Sequence, residues 1–244
     1  MYKDKSIIAI IPARSGSVGL KNKNILKLKD KPLVSWPIMA AKKSAYIDSI
    51  IVSTDSKKIA KIAKKHGIDT PFLRPKKLSG NKATTIEVMD HVIKYLNNES
   101  ISCDYIIVLE PTSPFTNSND IDKCIENLYK KRNSFDSLVG VCRNDKYHPN
   151  FSLYTDKNNK VKNIQSSLSK HTRRQDCTEI LYPDGSIYIT TKSSFIKNKT
   201  FYHSRTLGYK FPKWKSIEID DEIDFITAQK LATKIKYLEK KYNE

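Results

Sequence analysis

The chain predicts an α/β fold with a mainly parallel sheet, and three observations carry that prediction. Short apolar runs at Ile7–Ile11, Ile50–Val52 and Tyr105–Leu109 read as buried strands. Segments of helical periodicity separate them, the alternation that marks βαβ units. A loop of small and basic residues, Ala13 to Asn24, then leaves the first strand at its carboxyl end, where open α/β sheets take their ligands.

The elements follow in order. After Ile7–Ile11 and its loop, a helix is expected from about Pro32 to Ser44. Ile50–Val52 ends in Ser53-Thr54-Asp55, and Ser56 is a cap for a helix running to His66. Between Thr84 and Asn97, the residues Ile86, Val88, Met89, Val92, Ile93 and Leu96 fall at helical spacing. Tyr105–Leu109 is stopped by Glu110-Pro111-Thr112-Ser113-Pro114, and Ser118 or Asn119 can cap a helix through Lys131. Leu138–Cys142 reads as a further strand. Residues 143–180 are polar, with Asp156-Lys157-Asn158-Asn159-Lys160 as a hairpin signal. Ser186–Ile189 and Ile217–Ile219 read as two more core strands, and a long helix from about Asp221 closes the chain. With no internal repeat and no Pro/Gly/Ser linker, one domain over 1–244 is expected.

Composition narrows the function. At 244 residues the chain can bury one substantial core without disulfide or metal support. No stretch approaches a membrane span, and Met1-Tyr2-Lys3-Asp4-Lys5 leads straight into a strand, so a cytoplasmic protein without membrane association is expected. Cys103, Cys124, Cys142 and Cys177 lack C-x-x-C spacing and read as ordinary thiols. The net charge of +18 and pI near 9.6 invite a nucleic-acid reading. Lysine supplies most of that excess and is spread over helices and turns, so a solvated basic surface that favours anionic substrates is the preferred account.

The loop itself suggests polyphosphate. Gly16 and Gly19 allow close backbone approach, while Arg14 and Lys23 bring fixed positive charge and Ser17 a hydroxyl donor. It is neither GxGxxG nor GxxxxGK[ST], so a tight turn without ligand is the competing reading. Near the end of the chain, Glu218 and Asp220 would share one face of an extended segment and could converge on a hard cation such as Mg²⁺.

Pro12-Ala13-Arg14-Ser15-Gly16-Ser17-Val18-Gly19 with Lys21-Asn22-Lys23-Asn24-Ile25 resembles the amino-terminal signature of the CMP-sialic acid synthetases, the cytidylyltransferases of nonulosonic acids. Further motifs match in that family's order: Val52-Ser53-Thr54-Asp55, Leu73-Arg74-Pro75, Pro111-Thr112-Ser113-Pro114, Arg174-Gln175, Pro183-Asp184-Gly185-Ser186-Ile187-Tyr188-Ile189 and Ser216-Ile217-Glu218-Ile219-Asp220. The resemblance implies a Rossmann-like nucleotidyltransferase fold, a Mg²⁺ cofactor, CTP and a nonulosonic acid as substrates, and a homodimer with 143–180 as its arm. It implies that Arg14, Ser17, Gly19, Lys23 and Asn24 hold triphosphate, and that Arg74 and Thr85 face cytosine. Asp220 with Glu218 would hold metal, and Arg14, Lys23 and Asp220 would carry the catalysis. On the sugar side it points to Glu110, Thr112, Ser113, Arg174, Asp184, Tyr188, Phe201 and Tyr202. Several positions depart from the family pattern: Glu110 stands for the usual Gln, Asp184 for Asn, Tyr182 for Arg, Asn81 for Asp, Val18 for Lys, and Glu218 for Asp. The acceptor pocket therefore reads as altered, and both N-acetylneuraminic and legionaminic types are open. A CMP-Kdo synthetase-like enzyme and a basic nucleic-acid-binding protein are the two rival readings.

Overall fold

The computed structural model describes residues 1–17, 19–143, 148–164, 173 and 177–242. Its centre is a six-stranded sheet in the order β10-β6-β9-β5-β1-β4. These are β1 (Ile7–Pro12), β4 (Ser49–Ser53), β5 (Tyr105–Val108), β6 (Ser137–Arg143), β9 (Leu181–Thr191) and β10 (Thr206–Lys210). β1 pairs parallel with β4 and β5, and β10 pairs parallel with β6. β9 runs antiparallel to both β5 and β6, so it is the reversed strand of an otherwise parallel sheet. Mainly parallel pairing is therefore observed.

β1 shows why the sheet needs two covered faces. Ile7, Ala9 and Ile11 pack with α1 (Ser35–Lys43), α2 (Lys57–Lys65) and α4 (Ser118–Lys130). Ile8 and Ile10 point the other way, toward Met89, Val92 and Leu96 of α3 (Thr85–Asn98). A strand buried on both faces carries no polar alternation, which is why β1 reads as a continuous apolar run. A third cluster joins Leu28, Leu33, Phe115, Trp214 and Ile219 to α6 (Glu222–Ala232) and α7 (Ile235–Tyr242).

The structure shifts several expected elements. The Pro32 start gives way to a two-residue ladder between β2 (Lys27–Leu28) and β3 (Lys31–Pro32), and the helix begins at Ser35. Asn117, rather than Ser118 or Asn119, caps α4, exchanging side-chain bonds with Asp120 in a capping box. Ile217–Ile219 forms no sheet strand: the Ile219 amide donates to the Thr112 carbonyl at 2.9 Å, a lone tie rather than a ladder. The closing helix starts as expected after Asp221, its N-cap, but breaks at Thr233–Lys234 into α6 and α7. α5 (Lys192–Asn198) and β10 are additions. The hairpin expected at Asp156–Lys160 is present as β7 (Leu153–Thr155) and β8 (Val161–Asn163), with the Asp156 carboxylate accepting from the Asn158 and Lys160 amides. All four cysteines are free. No helix among the described residues is long and apolar enough to cross a membrane.

One buried ion pair fixes the segment before Glu218. Lys215, 1% exposed, donates to both Asp120 carboxylate oxygens at 2.8 and 2.7 Å. Removing the cation would leave the buried Asp120 carboxylate uncompensated, with the Asn117 amide as its remaining partner. Lys215→Ala is expected to cost about 3–5 kcal/mol in urea unfolding; a loss below about 1 kcal/mol would show that Asp120 is satisfied without it.

Candidate active site

A cleft of about 460 Å³ opens at the carboxyl ends of β1, β4 and β5. Chain direction places it there. From β1 the chain passes to β4 on one side, while β5 lies on the other, so the loops leaving β1 and β5 diverge at a topological switch point. Arg14, Ser17, Gly19, Lys23, Asn24, Arg74, Thr85, Glu110, Thr112, Glu218 and Asp220, all named from sequence, line it together.

The basic loop is held by its own side chains. Asn24, buried after the loop, donates to the Arg14 carbonyl at 2.9 Å. The Ser15 amide and hydroxyl both donate to Asp55, beyond β4, at 2.8 and 2.6 Å. Lys23 crosses to the far end of the chain, its Nζ donating to the Ile219 carbonyl at 2.7 Å and to Asp220 at 3.0 Å. The loop also packs directly on that segment, because a Cβ at Gly19 would collide with the Asp220 carbonyl oxygen. At Gly16, by contrast, the protein itself leaves open space.

Arg74 forms the opposite wall. Leu73 bridges to Thr54 and the Arg74 amide donates to the Thr54 carbonyl at 2.7 Å, extending the line of β4. Its side chain is 5% exposed, and Nε and Nη2 have no partner within the protein. Burial lowers its pKa, with Asp55 acting in the opposite sense. Arg74 thus lines the cleft with a buried guanidinium, two of whose donors lack an acceptor in the protein.

The carboxylates lie at the other end. Glu110 follows β5 and is pushed up to about 7, first by burial and then by the Glu218 charge. Glu218 is also raised, by desolvation and then by Asp220. Thr112 donates to Glu110 at a long 3.4 Å. Tyr188, whose phenol is raised by burial and then by the Glu110 charge, continues this end toward Phe201 and Tyr202, with ring centroids at 5.1 and 6.4 Å.

Other expected sugar residues are placed differently. Asp184 does not line the cleft: it is 1% exposed, and its oxygens accept from the Ser186 amide at 3.1 Å, the Ser186 hydroxyl at 2.5 Å and the Ser216 hydroxyl at 2.6 Å. Its carboxylate is spent tying β9 to the strip that carries Glu218, which corrects the expectation that it contacts sugar. Ser113 is buried against Gly185 and Phe201 is core beneath Tyr188, whereas Tyr202 is exposed. Arg174 and Val18 lie outside the described residues. Sequence reading named no site role for Leu78, Ala83, Thr84 or Val88, which line the cleft. Thr84 enters the sequence reading only as the first residue of a helical pattern; the signal that marks it is its capping box with Glu87, which the structure shows.

Comparison with known proteins bears on the fold and the family. A solved CMP:2-keto-3-deoxy-manno-octonic acid synthetase complexed with CTP superposes with a TM-score of 0.65 at 14% identity, covering 94% of this chain and 99% of that one. A 4-diphosphocytidyl-2C-methyl-D-erythritol synthase from Anaerococcus prevotii gives 0.63, also at 14%, over 94% and 99%. At that identity the likeness defines the fold, the Rossmann-like α/β fold of cytidylyltransferases. The cytidylyltransferase family profile matches residues 8–241, and the chain belongs to that family. The N-acylneuraminate cytidylyltransferase of Escherichia coli O18:K1:H7 is 36% identical over 223 residues, 91% of this chain and 51% of that protein. The CMP-N,N'-diacetyllegionaminic acid synthase of Legionella pneumophila is 34% identical over 232 residues, 92% of this chain and 95% of that protein. The chain thus spans about half the length of the first of these relatives and nearly all of the second.

Two outcomes test the site. Gly19→Ala is expected to push the loop off the Asp220 carbonyl and to cost about 1–3 kcal/mol of stability, read by urea unfolding. For Glu110, the folded pKa lies above the usual 4.5, so the folded state holds the extra proton between pH 4.5 and about 7, and stability falls as pH rises through that window. Glu110→Gln is expected to reduce that fall in thermal unfolding, with Glu218, also raised, supplying the remainder; an unchanged profile would place the titration elsewhere.

Proposed function

We propose that the chain transfers the cytidylyl group of CTP to a nonulosonic acid, of the N-acetylneuraminic or legionaminic type, yielding a CMP-sugar and pyrophosphate. One observation carries the reading: Lys23 joins the basic loop to Asp220, so phosphate-binding cations and candidate metal ligands line one cleft. The named relatives support the acceptor class, since they act on acylneuraminate and legionaminate. A Kdo-type acceptor is favoured only by a structural likeness that speaks to fold. The basic nucleic-acid reading rests on charge alone.

In this reading Arg14, Ser17 and Lys23 bind the triphosphate, with Asn24 shaping the loop beneath them. Arg74 offers its free donors to cytosine, and Thr85 lies beside it at the start of α3. The acceptor lies toward Glu110, Thr112, Tyr188 and Tyr202. Its anomeric hydroxyl attacks the α-phosphorus, a new O–P bond forms, the bond to the bridging oxygen breaks, pyrophosphate departs, and the hydroxyl proton is released. The chain's contribution is alignment and fixed charge, because in-line displacement asks for little covalent chemistry from protein groups.

Charge balance supports a Mg²⁺ cofactor. Arg14, Lys23 and Arg74 share the cleft with Glu110, Glu218 and Asp220, and Lys23 is already paired with Asp220 at 3.0 Å, so much of the fixed positive charge is offset before a triphosphate adds its own negative charge. Among the described residues no three acidic, His or Cys side chains gather into a cage. Glu218 and Asp220 alone suit Mg²⁺, which keeps water and substrate phosphate in its shell. When bound, the ion would offset charge on the transferring phosphate. Lys23 would orient Asp220 for it.

A homodimer through the 143–180 arm is part of the proposal. Leu153, Tyr154, Val161, Leu181 and Tyr182 are exposed on or beside the β7–β8 hairpin, an apolar surface that a second subunit could cover. A cytoplasmic setting fits CTP as substrate.

The test is pyrophosphate release with CTP and Mg²⁺ across N-acetylneuraminate, legionaminate, pseudaminate and Kdo, with UTP as control. Turnover is expected with CTP and a nonulosonate; turnover with Kdo alone, or salt-sensitive nucleic-acid binding without CTP binding, would overturn it. Asp220→Ala is expected to lower kcat/KM on the order of 100-fold with the circular dichroism spectrum unchanged.

A further inference from the structure

Two loops face each other across the phosphate end of the cleft. One carries Arg14. The other runs from Ser79 to Thr84, between a 3₁₀ turn at Lys76–Leu78 and the start of α3, and its residues Ala83 and Thr84 line the cleft wall. This second loop is fixed at both ends. The Ser79 hydroxyl donates to the Pro75 carbonyl at 3.1 Å, and Thr84 and Glu87 close a capping box. Between the anchors, Gly80 has no neighbour within 4 Å of a Cβ position and Asn81 is exposed. From that open stretch Asn81 Oδ1 accepts a hydrogen bond from Arg14 Nη1 at 2.8 Å, joining residues 67 positions apart.

The choice of partner matters. A carboxylate in the same neighbourhood, Asp55, is committed to the Ser15 amide and hydroxyl. Arg14 is instead held by a neutral carbonyl oxygen. An amide acceptor restricts a long, flexible side chain through one donor and leaves its remaining donors and its full charge available. A carboxylate at the same point would hold the guanidinium as well or better, but would offset its charge and repel an incoming anion.

We propose that Asn81 is the positioning residue for Arg14, directing its guanidinium toward the phosphate end of the cleft while leaving its charge uncompensated; this rests on the nucleotide reading above. The ligand concerned is a polyphosphate chain, whatever base or sugar accompanies it. Asn81 lies in an exposed turn, so its variants keep the fold. It acts through Arg14, which gives the inference a signature that a merely turn-forming residue would lack.

The experiment measures Kd for CTP, and for inorganic tripolyphosphate as a probe without base or ribose, on wild type, Asn81→Ala, Asn81→Asp, Arg14→Ala and the Arg14→Ala/Asn81→Ala double variant. Asn81→Ala is expected to weaken both probes about threefold in the wild-type background and to have no further effect once Arg14 is gone. Asn81→Asp, which preserves the turn and the bond to Arg14, is expected to weaken both about fivefold at low salt, with the deficit shrinking as salt rises. An Asn81→Ala effect of equal size in both backgrounds, or Asn81→Asp binding as tightly as wild type, would overturn the inference alone. A wild-type protein that binds neither probe would remove the nucleotide reading and this inference with it.

Discussion

The ammonium group of Lys23 holds the site together. It reaches from a loop in the first tenth of the chain to the Ile219 carbonyl and the Asp220 carboxylate, 196 and 197 positions away. Lysine presents three donors on a compact charge, so it can bond both acceptors and keep a donor for a ligand. Gly19 makes the same junction from the backbone side, since only a residue without Cβ lets the loop lie against the Asp220 carbonyl. Separate the loop from the 216–221 strip and the cations and carboxylates no longer share a cleft.

That strip lacks the support of a sheet ladder, and three other ties replace it. Ile219 buries its side chain between the β2–β3 hairpin and α6 and bonds its amide to Thr112. Lys215 anchors the preceding turn to Asp120 at the start of α4. Asp184 accepts the Ser216 hydroxyl from inside β9, and Gly185, at φ +68, lets β9 pass close beneath Glu218. A buried ion pair and a buried carboxylate are costly to desolvate, and here each is satisfied by partners on a different element. Their effect is to fix where Glu218 and Asp220 stand while leaving both side chains at the cleft.

What could be read from the sequence follows from what is local. β1, the loop after it, the cap at Ser56, the helical spacing from Thr84 and the Asp156 turn are each specified within a few residues, and each is legible. Ile217–Ile219 alternates like a strand, but alternation reports only that one face is buried, and the burying surface here is a helix and a hairpin instead of a sheet. The direction of β9 is invisible in Ser186–Ile189 because a buried strand shows the same residues whichever way it runs. Asp184 is set at the sugar only by the resemblance, where it stands for an Asn, and its bonds with Ser186 and Ser216 reveal it as an internal tie. The Lys215–Asp120 pair, 95 positions apart, leaves no local trace at all.

The cleft is polarised along its length. Arg14 and Arg74 line one end, and Glu110, with Tyr188 and Tyr202 near it, lines the other. The two ends respond to burial in opposite ways: desolvation lowers Arg74 and raises Glu110 and Glu218, so the first is relieved by hydrogen-bond acceptors and the second by donors. An anionic, acceptor-rich molecule suits the arginine end, and a donor-rich hydroxylated molecule the glutamate end. Lys23 and Asp220 mark the boundary, where a phosphate from the first would meet a hydroxyl from the second. In the proposed reaction a cleft built this way would set the order of the two substrates along it before any chemistry begins. It does so with groups drawn from β1, β4, β5, β9 and the strip before α6, which is why no shorter piece of the sheet would suffice.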